Sequence, residues 1–514
     1  MSTPARSNIT LIRGLTLIAA ASIVIGNVIG TGVFLKTRVM TCNVGTPGMV
    51  VTVWIAAGIL SLAGALTYAE LAAMMPRAGG EYVFVREAYG APLGFLYGWM
   101  QVFIAKTGSQ ASVAVALAIF LNDVTKGAFN TIFLKATQLD DGTVTITVNW
   151  AAQAFFKTTL FGYEYQFGML QVVALSAIAI VTLINCATVK VSGNIAAFLT
   201  VIKIALVLGV GIGAFLLARG GDWSHFAAAN AGGSCFGVGD AERYGIASFS
   251  SGFAAAMLAA LWGYDGWNNL TLVAGEVKNP QRNIPLALIG GMLIIMSLYV
   301  FVNIAYFYAL DPTTIASIPK ESSVAREVAQ TFLGPVAISL IAAALMFSSI
   351  GTLHTSILTG ARVPYAMSRD RLFFQNLARL SPRTHVPTGA LILQGIWASI
   401  LALSGSFDTL TDYVIFGSWI FYALVTASVF IFRRRMPDAE RPYRAWGYPV
   451  VPVLFLLVTG WLLFTTLLTK PVQALIGLVL ILIGLPVYYY WAHHNRVAYQ
   501  GVPLDTDDDE ERHA

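Results

Sequence analysis

Long apolar segments separated by short polar stretches run through almost the whole chain. A helix needs about 20 apolar residues to cross a bilayer, and windows of that length predict twelve spans. Their approximate limits are 15–36, 48–75, 92–121, 167–187, 194–218, 248–275, 285–310, 331–361, 388–405, 410–432, 449–469 and 471–491. The pattern predicts an all-α polytopic membrane protein with both termini on one side.

Three glycines interrupt the first span, where residues 26–34 read Gly-Asn-Val-Ile-Gly-Thr-Gly-Val-Phe. Each glycine weakens a helix interior by roughly 1 kcal/mol relative to alanine. We therefore predict a broken helix, with one half ending near Ile29 and the other starting near Gly32. The alternative is that these small residues only let a neighbouring helix pack closely.

A break inside a membrane leaves backbone groups without helical partners, which is tolerated only where they are buried in protein or line a cavity. The free N–H groups at the start of the second half-helix carry the positive end of its dipole and suit a carboxylate. The free carbonyls at the end of the first half suit an ammonium group or a cation. One broken helix thus offers partners to both ends of an amino acid.

A second interruption lies in the sixth span, where residues 261–269 read Leu-Trp-Gly-Tyr-Asp-Gly-Trp-Asn-Asn. Spans one and six are five apart, so two five-helix units of opposite orientation form an inverted repeat. Interrupted segments at corresponding places in two such halves indicate the binding site of a transporter. Spans eleven and twelve fall outside this repeat and are predicted to be peripheral.

The predicted repeat divides the chain into five parts. These are a cytoplasmic N-terminus (1–14), the first repeat (15–218), an outer loop with the second repeat (219–432), an inner loop with helices eleven and twelve (433–491), and a cytoplasmic tail (492–514). In the outer loop 122–166, the Thr/Val-rich residues 143–148 suggest a short hairpin. The inner stretch 76–90 predicts a short helix along the inner surface.

Composition supports the membrane assignment and fixes the orientation. The chain is 57% hydrophobic and 11% charged, with a mean hydropathy of +0.70, whereas soluble domains average roughly 25% charged residues. With the termini inside, the inner segments hold 19 Lys and Arg residues and the outer segments hold 10. This asymmetry predicts cytoplasmic termini, and it explains the net charge of +5 without nucleic acid.

Lys106 and Lys203 are the two basic residues inside predicted spans. A lone ammonium group in apolar surroundings is costly and usually functional. The alternative for Lys203 is that it snorkels to a surface or pairs locally.

The sequence offers few residues for a metal site, a catalytic site or a channel. The cysteines Cys42, Cys186 and Cys235 lack metal-ligand spacing, and a Cys42–Cys235 disulfide has little support from sequence alone. His354 is the one histidine inside a span and is expected to be packed, so neither a catalytic nor a metal site, nor any cofactor, is predicted. A channel would need a helix with a continuous polar face, and no span shows one.

Three motifs resemble those of the amino acid–polyamine–organocation (APC) superfamily: residues 26–34, residues 76–82 (Pro-Arg-Ala-Gly-Gly-Glu-Tyr), and residues 262–269 followed by 275–285. Within it, residues 10 to 435 are similar to the L-type amino acid transporter branch. The resemblance implies a LeuT-type fold in the plasma or inner membrane. It also implies sodium-independent amino acid transport by alternating access, as an exchanger or with protons. A polyamine or other organic-cation carrier is the alternative.

The resemblance also implies roles for particular residues. Backbone groups around Gly30, Thr31 and Gly32 would bind the substrate carboxylate, and Trp262 would close over the substrate from outside. Carbonyl groups would bind the substrate ammonium at Val28, Ile29, Trp262, Gly263 and Asp265.

Lys203 matches a fifth-span lysine whose ammonium group takes the place of sodium between spans one and eight. Ser348 and Ser349 are candidates to line that place. We predict that no metal ion is needed.

Asp265 is a carboxylate placed in a break, as in family members that accept cationic amino acids. It is therefore a candidate for recognising a cationic side chain. It is otherwise expected to pair with Lys106 or Lys203, to stay protonated, or to cap the second half of span six.

The chain differs from the animal members of the L-type branch at one point. Animal L-type transporters are disulfide-linked to a heavy chain through a cysteine between spans three and four. Residues 122–166 contain no cysteine. We therefore expect a monomer or homodimer without a linked heavy chain.

Overall fold

The structure is a computed structural model. It describes residues 9–125, 128, 132–138, 144–148, 159–160, 163–164, 167–228, 232–235, 238, 249–319, 322–403, 407–469 and 471–494. Within these residues the fold is nearly all helical, as the apolar pattern predicts. The N-terminus 1–8 and most of the predicted tail lie outside the described residues.

The structure describes eight α-helices in the first half of the chain. They are α1 (Leu17–Val28), α2 (Gly32–Val44), α3 (Pro47–Met74), α4 (Glu81–Tyr89), α5 (Ala91–Met100), α6 (Lys106–Val124), α7 (Met169–Asn185) and α8 (Val189–Leu217). A π-helical turn, Gln101–Ala105, joins α5 to α6, and a 3-10 turn, Trp223–Ala227, follows α8.

The structure describes eleven α-helices in the second half of the chain. They are α9 (Phe249–Tyr264), α10 (Pro280–Ala309), α11 (Pro312–Ser317), α12 (Val324–Leu333), α13 (Val336–Gly360), α14 (Arg362–Arg369), α15 (Thr388–Leu403), α16 (Phe407–Arg435), α17 (Val450–Thr469), α18 (Pro471–Leu482) and α19 (Gly484–His494). A 3-10 helix, Trp267–Glu276, follows α9, and a 3-10 turn, Gln375–Ala378, follows α14.

Short strands lie between α6 and α7. They are β1 (Ile132–Gln138), β2 (Val144–Val148), β3 (Thr159–Leu160), β4 (Tyr163–Glu164) and β5 (Phe167–Gly168). β1 pairs antiparallel with β2 and β5, and β3 pairs with β4. Within the patch 143–148, which suggested a short hairpin, residues 144–148 form one strand, and its partner is β1.

Seven of the described helical segments are long and apolar enough to cross a membrane, and the bent pair α1–α2 makes an eighth. α7 and α15 are apolar but shorter. The protein is therefore a polytopic membrane protein. The count of twelve spans and the inverted repeat stay predictions.

The broken first helix lies at the centre of the packing. α1 contacts α8, α10 and α13 as well as the 3-10 helix Trp267–Glu276, and α10 packs along α3. Thr16 caps α1 by accepting a hydrogen bond from the N–H of Ala19, and Gly45 ends α2 in the left-handed conformation. Both interruptions are thereby held inside the bundle.

Cys42 and Cys235 form a disulfide, with a Cα–Cα distance of 5.7 Å. It ties the last turn of α2 to the described segment 232–235. The sequence offered this pairing with little support, because it rests on the spatial approach of two segments 193 residues apart.

Candidate functional site

The first interruption is where the glycines predict it. α1 ends at Val28, α2 begins at Gly32, and the two axes are bent by 40°. Between them, the N–H of Gly30 donates to the carbonyl of Val28 at 2.8 Å in a tight turn. The first span is therefore two half-helices, as the sequence predicted, although the second half runs on to Val44.

The start of α2 presents unused donors. No described residue accepts a hydrogen bond from the N–H of Thr31, Gly32 or Val33, whereas the Thr31 carbonyl already accepts from Phe34 and Leu35. Such a trio at a helix N-terminus is a ready anion site, because the donors and the helix dipole act together.

Lys203 holds the end of α1. Its side chain is 1% exposed, and its Nζ donates to the carbonyls of Gly26 at 2.6 Å and Ile29 at 2.7 Å and to Thr352 Oγ1 at 2.7 Å. One ammonium group thus joins the first break to α8 and α13. Its three donors are all used, which rules out snorkelling to a surface.

Three of the hydroxyl groups on α13 lie near the first break and differ in what they contact. Ser348 donates to the Ile29 carbonyl at 3.3 Å, so it lies beside the Lys203 ammonium. Ser349 donates to its own helix, at Leu345, and faces the cavity described below. Thr352, which the sequence did not single out, is the one that binds Lys203.

The second interruption has a different form. α9 ends at Tyr264, Gly266 takes a φ of +104° that favours glycine, and the chain continues as the 3-10 helix Trp267–Glu276. The hydroxyl of Tyr299 on α10 lies between the two breaks. It is 2.9 Å from the Val28 carbonyl and 3.0 Å from the Gly263 carbonyl.

The two breaks touch at Gly32. A Cβ atom placed there would lie 2.7 Å from Gly263 Cα and 3.3 Å from Trp262 Cζ3. Trp262 is half-buried, and Lys36 Nζ lies 4.6 Å from the centroid of its ring. Only a residue without a side chain fits this contact.

A cavity joins both breaks to three further helices. Of the predicted site residues, the cavity is lined by Val28, Gly30, Thr31, Gly32, Trp262, Gly263, Asp265 and Ser349. It is also lined by residues that the sequence did not suggest: Asn27, Ser109, Ser112, Val113, Ala116, Thr352, Ser418 and Trp419. Ile29, Lys203 and Ser348 do not line it but lie behind the first break.

Asp265 is exposed to this cavity. Its Oδ1 accepts a hydrogen bond from the Tyr422 hydroxyl at 2.6 Å. Its position suits contact with a substrate side chain. Among the described residues it has no direct ion pair with Lys106 or Lys203.

Buried contacts close the end of the bundle that is predicted to be cytoplasmic. Arg362 donates to both carboxylate oxygens of Glu276 at 2.7 and 2.8 Å, and both side chains are fully buried. Leu15 exchanges backbone hydrogen bonds with Glu276 and Lys278 at 2.9 Å. Tyr82 on α4 binds Asp370 at 2.8 Å. The predicted short helix α4 is therefore packed inside the protein rather than lying on a surface.

A family model described as "Amino acid permease" matches residues 15–486. The chain belongs to the amino acid permease family. This permease is thus a member of the APC superfamily, as its motifs indicated, and it is a transporter rather than an enzyme. Among the described residues, no group of three His, Cys, Asp or Glu side chains is placed to hold a metal ion.

Curated relatives of the permease are amino acid carriers by name. The chain is 30% identical to the serine/threonine exchanger SteT of Bacillus subtilis, over 92% of this chain and 95% of the relative. It is 27% identical to the human b(0,+)-type amino acid transporter 1, over 94% and 89%. It is 28% identical to the rabbit (Oryctolagus cuniculus) large neutral amino acids transporter small subunit 2, over 94% and 82%. These relatives confirm the resemblance to the L-type branch.

Proposed function

We propose that this permease carries α-amino acids across the cell membrane by alternating access, independently of sodium. One observation carries the proposal. Thr31 and Gly32, whose N–H groups no described residue accepts, line a cavity together with Val28, Trp262, Gly263 and Asp265 of the two breaks. This arrangement complements a free carboxylate and a free ammonium group held on one carbon atom.

The carboxylate would bind the N–H groups at the start of α2. The substrate ammonium would bind the carbonyl groups of Val28, Trp262, Gly263 and Asp265. The Ile29 carbonyl is a weaker candidate, since it already accepts from Lys203 and Ser348. The Tyr299 hydroxyl lies within hydrogen-bond distance of the Val28 and Gly263 carbonyls and can donate to one of them at a time, and a carbonyl oxygen has a second lone pair to offer.

Sodium independence rests on Lys203. Its ammonium group fills the space that a cation would need between α1 and α13, and it uses the carbonyl groups of Gly26 and Ile29. Because a permanent part of the chain supplies this positive charge, no sodium ion is required to hold the broken helix.

Alternating access would work on the closed end of the bundle. We propose that the Arg362–Glu276 pair and the Leu15 hydrogen bonds block the path from the cavity to the cytoplasm, and that they separate when the protein opens to that side. The proposal includes twelve spans, a five-plus-five inverted repeat and cytoplasmic termini.

Exchange is the favoured form of transport, because the Bacillus subtilis relative is named an exchanger. Proton coupling is the other form. The name of the rabbit relative includes "small subunit", whereas this chain has no cysteine in residues 122–166 for a disulfide-linked partner. We propose a monomer or homodimer.

Neutral amino acids are the proposed main substrates, and Asp265 extends the range to cationic ones. The carboxylate faces the cavity, where it would meet a guanidinium or ammonium side chain. A polyamine carrier is the second candidate, favoured by the same carboxylate, but it would leave the N–H groups at Gly32 without a ligand.

Uptake of a panel of labelled amino acids into proteoliposomes tests the proposal. The assay is run with and without internal amino acid, with and without sodium, and with a pH gradient. We expect saturable uptake that internal substrate stimulates and that sodium leaves unchanged. A sodium-driven current, or putrescine uptake that amino acids do not inhibit, would contradict the proposal.

A further inference from the structure

An irregular turn of helix places Lys106 beside the second break. The π-helical turn Gln101–Ala105 ends directly before it, and the Thr107 hydroxyl donates to the carbonyl of Val102, five residues earlier, at 2.9 Å. One extra residue in a turn rotates everything after it by about 100°. The turn thus directs Lys106 towards the second break, where its Nζ donates to Asn269 Oδ1.

Glu81 lies below the same break. Its side chain is completely buried, and it accepts hydrogen bonds from Asn268 Nδ2 at 2.7 Å and from the Tyr97 hydroxyl. These donors are neutral. Glu81 and Lys106 are held by adjacent side chains of the second break, Asn268 and Asn269.

Lys106 thus lies near two carboxylates of the second break. The Asn269 amide that holds it packs against Gly266, the neighbour of Asp265, and the adjacent Asn268 binds Glu81. Neither carboxylate forms a direct ion pair with Lys106 among the described residues. The amide of Asn269 holds its Nζ instead. Lys106 is half-buried, and an ammonium group that is partly withdrawn from solvent is stabilised by negative charges nearby.

We propose that Lys106, held by Asn269 between Asp265 and Glu81, sets the balance between cationic and neutral substrates. Lys106 repels a positive side chain that approaches Asp265, and Glu81 reduces that repulsion by drawing on the same ammonium charge. Asp265 is the residue that touches the side chain. Lys106 and Glu81 act through it, as positioning residues that adjust its charge.

The two positioning residues have opposite signs, so their removal must shift selectivity in opposite directions. Lys106→Gln removes the repulsion and should raise the ratio of arginine to leucine affinity. Glu81→Gln leaves Lys106 acting on Asp265 alone and should lower that ratio. Because the charges interact across a site of moderate dielectric constant, we expect the ratio of arginine to leucine affinity to change by about tenfold in each direction. A merely structural role would weaken both substrates together.

The experiment is competition binding of arginine and leucine to the purified full-length protein, with citrulline as the uncharged substrate of arginine's length. Asn269→Asp is the third test variant, because it keeps Lys106 in place and adds a negative charge beside it. This variant should raise the arginine ratio as Lys106→Gln does. Lys190→Gln and Glu440→Gln make the same chemical changes at exposed positions and should leave the ratio unchanged.

The inference rests on the proposed function, and the assay separates the two. A parent protein that binds neither amino acid contradicts the proposed function, and the inference falls with it. If the parent binds amino acids but the three site variants leave the arginine ratio unchanged, or shift it in the same direction, the inference alone is overturned. Opposite shifts from Lys106→Gln and Glu81→Gln, with citrulline following leucine, support it.

Discussion

The two breaks differ in the groups that they expose, which are backbone groups at one and side chains at the other. The first, between Val28 and Gly32, leads into a regular α-helix and offers backbone N–H groups. The second leads into a 3-10 helix and offers side chains: Asp265 to the cavity, and Asn268 and Asn269 to the charged residues below it.

This difference matches the two parts of an amino acid. Every α-amino acid carries the same carboxylate and ammonium groups, and a backbone site recognises them in a form that side-chain substitution cannot easily change. What differs among amino acids is the side chain. We propose that the first break binds the carboxylate common to all substrates, and that the side chains of the second break, Asp265 above all, distinguish one substrate side chain from another.

The strongest test of the first break is Gly32→Val. The new Cβ would lie 2.7 Å from the Gly263 backbone, and the side chain would cover the N–H groups, so we expect binding of every amino acid to fall below detection. Gly209→Val is the matched control, because nothing lies within 4 Å of that position. A Gly32→Val protein that melts like the parent and transports normally would remove the carboxylate site from Gly32.

The next largest effect is expected for Lys203→Ala. It removes the short ammonium hydrogen bonds from the buried carbonyl groups of Gly26 and Ile29, which keep only the longer contacts of Thr352 and Ser348. Hydrogen bonds to a charged group are worth roughly 1.5–3 kcal/mol, so we expect uptake of all substrates to fall by about 100-fold. Lys190→Ala, at an exposed position, is the control. Initial uptake rates of both variants are measured with and without sodium. Rates near those of the parent protein in Lys203→Ala would contradict the role of Lys203 in holding the first break.

Asp265→Asn should act on the second break alone. Asparagine keeps the shape and can still accept from Tyr422, but the charge is lost, and hydrogen bonds to charged groups are worth about 1.5–3 kcal/mol. We expect arginine to compete at least tenfold less well while leucine competes as before. Equal losses for both would assign Asp265 a structural role, and no arginine competition in the parent would exclude cationic substrates.

The smallest effect is expected where the two breaks are joined. Tyr299→Phe removes the hydroxyl that lies between the Val28 and Gly263 carbonyls. The loss of a hydrogen bond of about 1 kcal/mol should weaken arginine and leucine by the same factor of about five. Competition curves for arginine and leucine measure the loss of affinity. A change in the ratio of the two affinities would show that the two breaks do not act independently on the substrate.

The breaks themselves were predictable, because glycine and polar residues are costly inside an apolar helix. The positions of Ile29, Gly32 and Asp265 followed from that cost alone. The disposition of Lys203 towards α1 and α13 came from family resemblance, and the structure supplies its hydrogen-bond partners.

The side-chain contacts were not predictable from the sequence. Tyr299 and Trp419 look like ordinary core aromatic residues in their spans, and Thr352 differs from Ser348 only by one helical turn. Lys106 depends on a π-helical turn with no sequence signature. Each of these residues acquires its place from helices distant in the chain, whose packing a single sequence does not specify.

Binding of substrate analogues by the purified protein tests the division between the two breaks most directly. Leucine and arginine are compared with leucinamide, isopentylamine and agmatine, which keep the side chains but alter or remove the carboxylate. The account predicts that all three analogues bind at least 100-fold more weakly than their parent amino acids, whichever side chain they carry. Agmatine binding as tightly as arginine would contradict it, because the carboxylate site at the first break would then contribute nothing.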